Sequence, residues 1–352
     1  MNLVKAAAVP MRTIGPIEIV SPYVEGQVKV PLATYETPLW ASTNRGAKVS
    51  RSVGGIHAVM VDERMTRSVL FEAPNAAMAL QAVHDAKLRR EEIAQVISKT
   101  SRFTKLLKLN FQIVGNLIYL RLECETGDAA GHNMTTNAAD HVMNWMLVQY
   151  PKLRYISVSG NFCVDKKVSA VNGILGRGKY VIAEITIPRQ ICEQILKTTP
   201  EKIVELNIKK NLLGTNIAGG IRTANAHFAN ILLALYLATG QDAANIIEGS
   251  QGFVHTEVQK DALYFSVTLP NIIVGTIGAG KKLEFVRDNL QMLGCLEDRE
   301  VGDNARRLAI IVAATVLCGE LSLLAALTNQ GELMRTHLSL ERGVSVKEIM
   351  NE

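Results

Sequence analysis

Apolar and polar positions change period in an ordered way between Ile56 and Ser159. Ile56 to Val61 is a short apolar run of strand type, while Ala76 to Leu88 has helical spacing that a second stretch, Glu91 to Ser98, extends. Leu106 to Val114 and Leu117 to Cys124 flank Gly115-Asn116, a tight hairpin signal. Asp128 to Gln149 then puts Met134, Ala138, Val142 and Met146 four apart on one helical face, and Tyr155 to Val158 closes the series as a strand. The order β-α-β-β-α-β is that of a ferredoxin-like split βαβ unit.

On either side the pattern belongs to something larger. Ile17 to Ala33 precedes the unit; strands at Tyr180 to Ile187 and Leu263 to Leu269, with helices near Ala224 to Ala238 and Asp303 to Leu327, follow it. The expected fold class is therefore α+β, a large mixed α/β domain carrying an inserted ferredoxin-like unit. The expected division is 1–55 and 160–330 for the large domain, 56–159 for the insert, and 331–352 for a mobile C-terminal segment. Leu308 to Thr328 is apolar enough to raise the question of a membrane span. Glu320 lies inside it and Ala, Gly and Ser supply much of its length, so a helix buried in a large core is the better reading.

Composition narrows the class. With 352 residues, 48% hydrophobic and 20% charged, the chain is neither disordered, collagenous nor a disulfide scaffold. Cys124, Cys163, Cys192, Cys295 and Cys318 are scattered without a C-x-x-C pair, so no metal centre is expected, and a reducing, cytoplasmic location is. No charged segment leading into an apolar signal core opens the chain. The net charge of +5 suits a ligand with several phosphates. No arginine-rich run or aromatic-basic alternation supports nucleic-acid binding.

Candidate chemistry centres on Ser159-Gly160-Asn161-Phe162-Cys163-Val164-Asp165-Lys166-Lys167, followed by Gly176-Arg177-Gly178-Lys179. Most Asp-Lys-Lys triplets are solvated loops, but a Ser-Gly-Asn turn that bares the backbone beside two lysines can set fixed positive charge against an anion. Glu36 opens a run ending in Asn44-Arg45-Gly46; it is an exposed loop residue or a carboxyl held where it can deliver a proton. Arg67 and Arg102, the latter in Thr100-Ser101-Arg102-Phe103, are surface arginines or forks for carboxylate and phosphate. Gly127-Asp128-Ala129-Ala130-Gly131-His132-Asn133-Met134 sets small residues at a helix N-terminus, which suits a pyrophosphate, with ordinary capping by Asp128 as the equal alternative. A G-x-G-x-x-G motif between strand and helix is missing, and Gly275 to Gly280 has the wrong spacing for one. His227 and Asn230 share a helical face. Asp242, behind a very apolar segment, needs a cationic partner, for which Lys166 is the natural candidate. His337, near the C-terminus, is an inert tail histidine or a mobile proton donor.

These motifs, with Met65-Thr66-Arg67, Gly240-Gln241-Asp242-Ala243-Ala244 and Gly319-Glu320-Leu321-Ser322, run in one order from about residue 10 to 342. In content and order the chain resembles the 3-hydroxy-3-methylglutaryl-coenzyme A (HMG-CoA) reductase family, as a catalytic domain lacking a membrane anchor and most of the small N-terminal helical domain. The resemblance implies a two-hydride reduction of the HMG-CoA thioester to mevalonate and coenzyme A, through a hemithioacetal and an aldehyde, with NADPH as cofactor. It implies roles as well. Lys166 would stabilise the oxyanion, Glu36 would donate a proton, Asp242 would link the two, and His337 would protonate the departing thiolate. Arg67, Ser159, Asp165 and Lys167 match positions that hold the hydroxymethylglutaryl group, and Asn44, Arg45, His227 and Asn230 match coenzyme A or active-site contacts. Ser101, Arg102, Asp128, Asn133, Met134 and Arg342 match the NADPH side.

The resemblance also makes the large domain the substrate-binding domain and the insert the nucleotide-binding domain; the family's active site forms between two subunits, so a homodimer or higher homo-oligomer is implied, with no nucleic acid and no membrane as partner. Two departures stand out. Asn2-Leu3-Val4-Lys5 is a faint counterpart of the family's interface segment, and Glu341 beside Arg342 leaves NADH open as the cofactor. The competing readings are a relative that keeps the fold without the activity, and a basic nucleic-acid module on the insert.

Overall fold

The computed structural model describes residues 7–278 and 280–341. The expected contacts of Asn2 to Lys5 and of Arg342 lie outside the described residues. The chain opens with a hairpin of β1 (Met11–Ser21) and β2 (Val24–Ala33), followed by helix α1 (Pro38–Ser52).

β3 (Ile56–Glu72) then runs for 17 residues, well beyond the apolar stretch that ends at Val61. Asp62, Glu63 and Arg64 break the apolar pattern without breaking the strand, because their charges are paired: Arg64 bonds Asp62 at 2.6 and 2.8 Å and also reaches Glu123. This charged middle is where β3 changes sheets.

The second half of β3 belongs to the insert. After it come α2 (Ala76–Leu88), α3 (Arg90–Ser98), β4 (Lys105–Val114), β5 (Leu117–Glu125), α4 (His132–Gln149) and β6 (Arg154–Ser157). β5 pairs antiparallel with β3 from Met65↔Cys124 to Glu72↔Leu117, β4 adds outside β5, and β6 pairs on the other side of β3. The resulting order β4-β5-β3-β6 is the ferredoxin-like arrangement. Val69, Phe71, Ile93, Leu120, Leu122, Ala138, Val142 and Met146 form its own core. The predicted apolar face of α4 is buried at Ala138, Val142 and Met146, whereas Met134 is only partly covered.

The first half of β3 belongs to the large sheet. It pairs with β7 (Gly178–Pro188) from His57↔Glu184 to Arg64↔Gly178, and the sheet runs β2-β1-β3-β7-β9-β8, with β8 (Phe253–Gln259) and β9 (Ala262–Ile272) last. A short helix α5 (Ala170–Leu175) links the insert to β7. The core of this part packs the sheet against helix Phe228–Ala238 and a 25-residue helix, Asp303–Leu327.

Helix Asp303–Leu327 is long and apolar enough to cross a membrane, yet nearly all of it is enclosed by protein. Its packing is tight. A Cβ at Gly46 of α1 would stand 2.2 Å from the carbonyl oxygen of Cys318, so only glycine lets α1 cross this helix. Glu320, inside it and fully buried, is satisfied by the backbone N–H groups of Ala226 and His227.

Insert and large domain are joined by a buried ionic knot. Arg121 and Glu123, both enclosed on β5, pair with each other; Arg121 also donates to the Gly176 carbonyl at 2.5 Å, and Asn110 donates to Glu123 at 2.6 Å. Arg121 Nε is left without a hydrogen bond, and buried charge of this kind fixes a joint rather than adding much stability.

Candidate active site

The segment from β6 to α5 is the Ser159–Lys167 loop. Asn161, Val164 and Lys166 all have positive φ, at 59°, 40° and 56°. A β-branched valine there is strained by about 1–3 kcal/mol, so its surroundings must impose the conformation. They do so through side chains. Glu248 Oε1 accepts the Lys166 N–H at 3.2 Å, and Asn172 Nδ2 donates to the Val164 carbonyl at 2.8 Å. Arg177, almost wholly buried, donates to Asp165 Oδ1 at 2.5 Å and to the Thr66 carbonyl on β3 at 2.7 Å. Burial pushes the Glu248 carboxyl above the usual range, against the pull of Arg177 and of its hydrogen bonds.

Held this way, Lys166 Nζ lies 2.6 Å from Asp242 Oδ2. Asp242 stands just beyond helix Phe228–Ala238, where its other oxygen caps the Ala244 N–H at 3.2 Å. The pairing works in both directions. The Asp242 hydrogen bond raises the Lys166 pKa above the ordinary value, and although desolvation raises that of Asp242, its bond to Lys166 brings the net shift down. Both groups are ionised at neutral pH, so Lys166 is a fixed cation there rather than a proton donor.

Around this pair the rim is more exposed. Lys167 Nζ folds back to the Asp165 carbonyl at 3.0 Å, Arg67 Nε donates to the Val158 carbonyl at 3.2 Å, and the Ser159 N–H donates to Ser157 Oγ at 3.0 Å. One member escaped the sequence reading: His132, first residue of α4, whose Nε2 is 3.8 Å from Asp165 Oδ1.

Glu36, His227, Asn230 and His337 occupy a different place. Together with Arg45, Ser322 and Glu332 they line a cavity of about 390 Å³. Asn230 Nδ2 donates to Glu36 Oε2 at 2.9 Å. His227 Nε2 is 3.0 Å from the Gly319 carbonyl, which can only accept, so that nitrogen carries the proton. Burial drives the His227 pKa down to about 4, leaving the ring neutral, and drives that of Glu320 beneath it up to about 7. The Asn225-Ala226-His227 motif makes sense locally: Asn225 Oδ1 accepts the Phe228 N–H at 3.2 Å and Glu320 takes the two N–H groups before it, closing the open start of the helix.

Arg45 is held at this cavity by Ser322, at 2.9 Å to its hydroxyl and 2.6 Å to its carbonyl, and by Glu332 at 2.8 Å. Asn44 is used elsewhere, its Oδ1 accepting the Gly15 N–H at 3.0 Å. His337 sits on helix Glu332–Glu341, where the sequence suggested only a mobile segment.

The two clusters lie at opposite ends of one helix. Asn230 is in the first turn of Phe228–Ala238 and Asp242 follows its last, with about 12 Å of helix between them at 1.5 Å per residue. Within the chain, Glu36 is thus held by Asn230 while Asp242 is held by Lys166.

A third site borders the insert, where Arg102, Phe103, Lys105, Gly127 and Arg306 line a cavity of about 480 Å³. Arg102 is exposed and stacks 4.5 Å over Phe103, and Ser101 Oγ accepts the Phe103 N–H at 3.2 Å. Asn133 is exposed at the start of α4. The helix predicted from Asp128 in fact starts at His132, after Gly131 with φ 94°. Asp128 caps a different helix: its two oxygens accept the N–H groups of Gly302 and Ala305, both at 3.0 Å, at the head of helix Asp303–Leu327.

The chain is an α+β fold with a paired lysine on a strained loop and a charged cavity bordering the insert, where Arg102, Lys105 and Arg306 stand with Glu63 and Glu125. The comparisons make it an oxidoreductase. The sequence profile described as Hydroxymethylglutaryl-coenzyme A reductase matches residues 2–342, and the chain belongs to that family. It is 44% identical over 344 residues to the 3-hydroxy-3-methylglutaryl-coenzyme A reductase of Pyrococcus horikoshii, covering 97% of this chain and 83% of that one. The enzyme of the same name from Aeropyrum pernix is 43% identical, covering 97% and 81%. In fold, the chain resembles the class II enzyme of Streptococcus pneumoniae solved with NADPH in open conformations, with a TM-score of 0.73 at 18% identity over 93% of this chain and 87% of that one.

Proposed function

We propose that the chain reduces HMG-CoA to mevalonate and coenzyme A, passing through a hemithioacetal and mevaldehyde. The observation that carries this reading is the Lys166–Asp242 pair, a cation kept charged at 2.6 Å and pinned by a strained loop. Family membership supports the substrate. The NADPH bound to the Streptococcus enzyme supports the cofactor.

The insert's residues fit such a cofactor. Arg102, Lys105 and Arg306 line one cavity with Glu63 and Glu125, Arg306 being paired with Glu63 at 2.6 Å and Arg102 being exposed, and the small residues before α4 bare a helix N-terminus. Arg102 would meet the 2′-phosphate; Ser101, Asn133 and Met134 would line the approach. When bound, NADPH supplies hydride for each of the two reductions.

The chain's own groups handle charge and protons. Lys166 faces the developing alkoxide, a type of contact worth roughly 3–4 kcal/mol of barrier. It holds its proton at neutral pH, since a lysine's ordinary pKa is well above 7 and the Asp242 hydrogen bond raises it further. The proton must come from a carboxyl or an imidazole. Glu36, held by Asn230, would protonate the aldehyde oxygen, and His337, which lines the same cavity, would protonate the thiolate of coenzyme A. Protonating that thiolate matters because a thiol of pKa about 8.5 is a poor nucleophile and does not add back to the aldehyde. Arg67, Ser159, Asp165 and Lys167 would hold the hydroxymethylglutaryl end, with Arg45 and His227 on the coenzyme A side.

Glu36 and Lys166 stand at opposite ends of a helix, which supports a complete site made by two subunits, the Glu36 cavity of one facing the Lys166 loop of the other. Apolar surface is available for such a homodimer: Ile174, Ile208, Leu212, Leu213, Ile217 and Ile221 are all exposed, and Arg222 ties this region together through the Gly173 carbonyl at 3.1 Å.

The test is a spectrophotometric assay of the purified, folded chain with HMG-CoA and either NADPH or NADH. Oxidation of two cofactor molecules per coenzyme A released is expected; no oxidation of either cofactor overturns the reading. His337→Gln should lower HMG-CoA reduction while sparing reduction of added mevaldehyde.

A further inference from the structure

Gly127 to Gly131, the turn before α4, is fastened to the large domain. Asp128 caps helix Asp303–Leu327, and its carbonyl accepts the Thr276 N–H at 2.8 Å. The next residue, His132, sends its side chain the other way, into the Lys166 cluster. Its Nε2 is shielded from solvent, lacks a hydrogen-bond partner and stands 3.8 Å from Asp165 Oδ1. That gap is too long for a hydrogen bond and closes with a shift of about 1 Å.

Four charged groups face the ring: Arg177 and Asp165 at close range, then Lys166 and Asp242. Burial first, and Arg177 next, hold its pKa down to about 4. The imidazole is therefore neutral in the working range. It can donate one hydrogen bond without adding a third positive charge beside Lys166 and Arg177.

His132 starts α4 and faces Asp165, so a cofactor laid over the start of α4 and an acyl group held at Lys166 would both come close to its ring. Asp165, the nearest acceptor, is fixed by Arg177, which is itself anchored on β3 at Thr66. The ring is the movable element between two fixed walls. Either ligand that presses it toward Asp165 satisfies the orphaned Nε2 and so sets the position the second ligand meets.

We infer that His132 is a positioning residue that couples cofactor binding to substrate binding. This inference rests on the reductase reading, and its test separates the two. The dissociation constant of NADPH is measured by protein fluorescence quenching, with and without saturating 3-hydroxy-3-methylglutarate, the acyl half of the substrate, which cannot be turned over.

In the wild-type chain, the acid should tighten NADPH binding by about five-fold or more, and NADPH should tighten binding of the acid by the same factor. His132→Ala should bring that factor to within about two-fold of unity, with binding of each ligand alone still measurable. His132→Gln, which restores a donor at similar reach, should recover part of the coupling, and it serves where the alanine variant folds poorly. Unchanged coupling in His132→Ala, or no coupling in the wild type, overturns the inference alone. A folded wild-type chain that binds neither ligand overturns the reductase reading, and the inference with it.

Discussion

Lys166 Nζ is 2.6 Å from Asp242 Oδ2, on a loop whose backbone is bent into the left-handed region at Lys166 itself. The pair keeps the lysine charged and its orientation fixed, so removing either partner should act on turnover. Lys166→Ala should lower kcat by at least about 10²–10³-fold with a much smaller change in the KM for HMG-CoA. Asp242→Asn leaves Lys166 charged at neutral pH, since its ordinary pKa is well above 7, so its loss of kcat would report lost orientation. Steady-state kinetics of the two variants checks this; wild-type kcat in Lys166→Ala would remove the lysine from the chemistry.

Acid should unfold the protein through its buried imidazoles. His132 and His227 have folded-state pKa values near 4 against an ordinary value of 6.5, so the unfolded chain binds protons that the folded chain refuses. Their contribution is complete above about pH 6.5 and is lost as pH falls toward 4. Glu320 acts in the opposite sense. Its carboxyl, raised from 4.5 to about 7, adds stability that is complete below 4.5 and lost as pH rises through 7. Urea midpoints measured from neutral pH to pH 5 should therefore fall less steeply in His227→Gln and more steeply in Glu320→Gln than in the wild-type chain.

Asp128 separates a structural role from a cofactor role. Its two hydrogen bonds at the head of helix Asp303–Leu327 predict that Asp128→Ala costs about 0.5–2 kcal/mol of stability, measured by urea denaturation. Asp128→Asn, which keeps one acceptor, should cost less. A raised cofactor KM in Asp128→Ala at unchanged stability would return this aspartate to the nucleotide.

The insert was legible because each of its elements has a single clean period and its helix face at Ala138, Val142 and Met146 has no competing use. β3 was read short for the opposite reason: Asp62, Glu63 and Arg64 look like the end of a strand unless their partners on other elements are known. The pairing of Lys166 with Asp242 was inferable from the cost of an unpaired carboxylate behind an apolar helix. That Glu36 and Lys166 lie at opposite ends of that helix was not, since motif order carries no distance. His132 was overlooked for a similar reason. In Gly131-His132-Asn133 it sits among small residues suited to phosphate, and nothing in the spacing from 132 to 165 brings it to Asp165.

We propose that the site is shared between subunits, and one measurement tests that most directly. Glu36→Ala and Lys166→Ala should each be nearly inactive, but mixing them as denatured chains and refolding them together should restore activity. Random assortment makes about half the dimers mixed, each with one intact site of two, so about a quarter of wild-type activity is predicted. Activity in the refolded mixture no greater than that of either variant alone would contradict a site built from Glu36 of one subunit and Lys166 of the other.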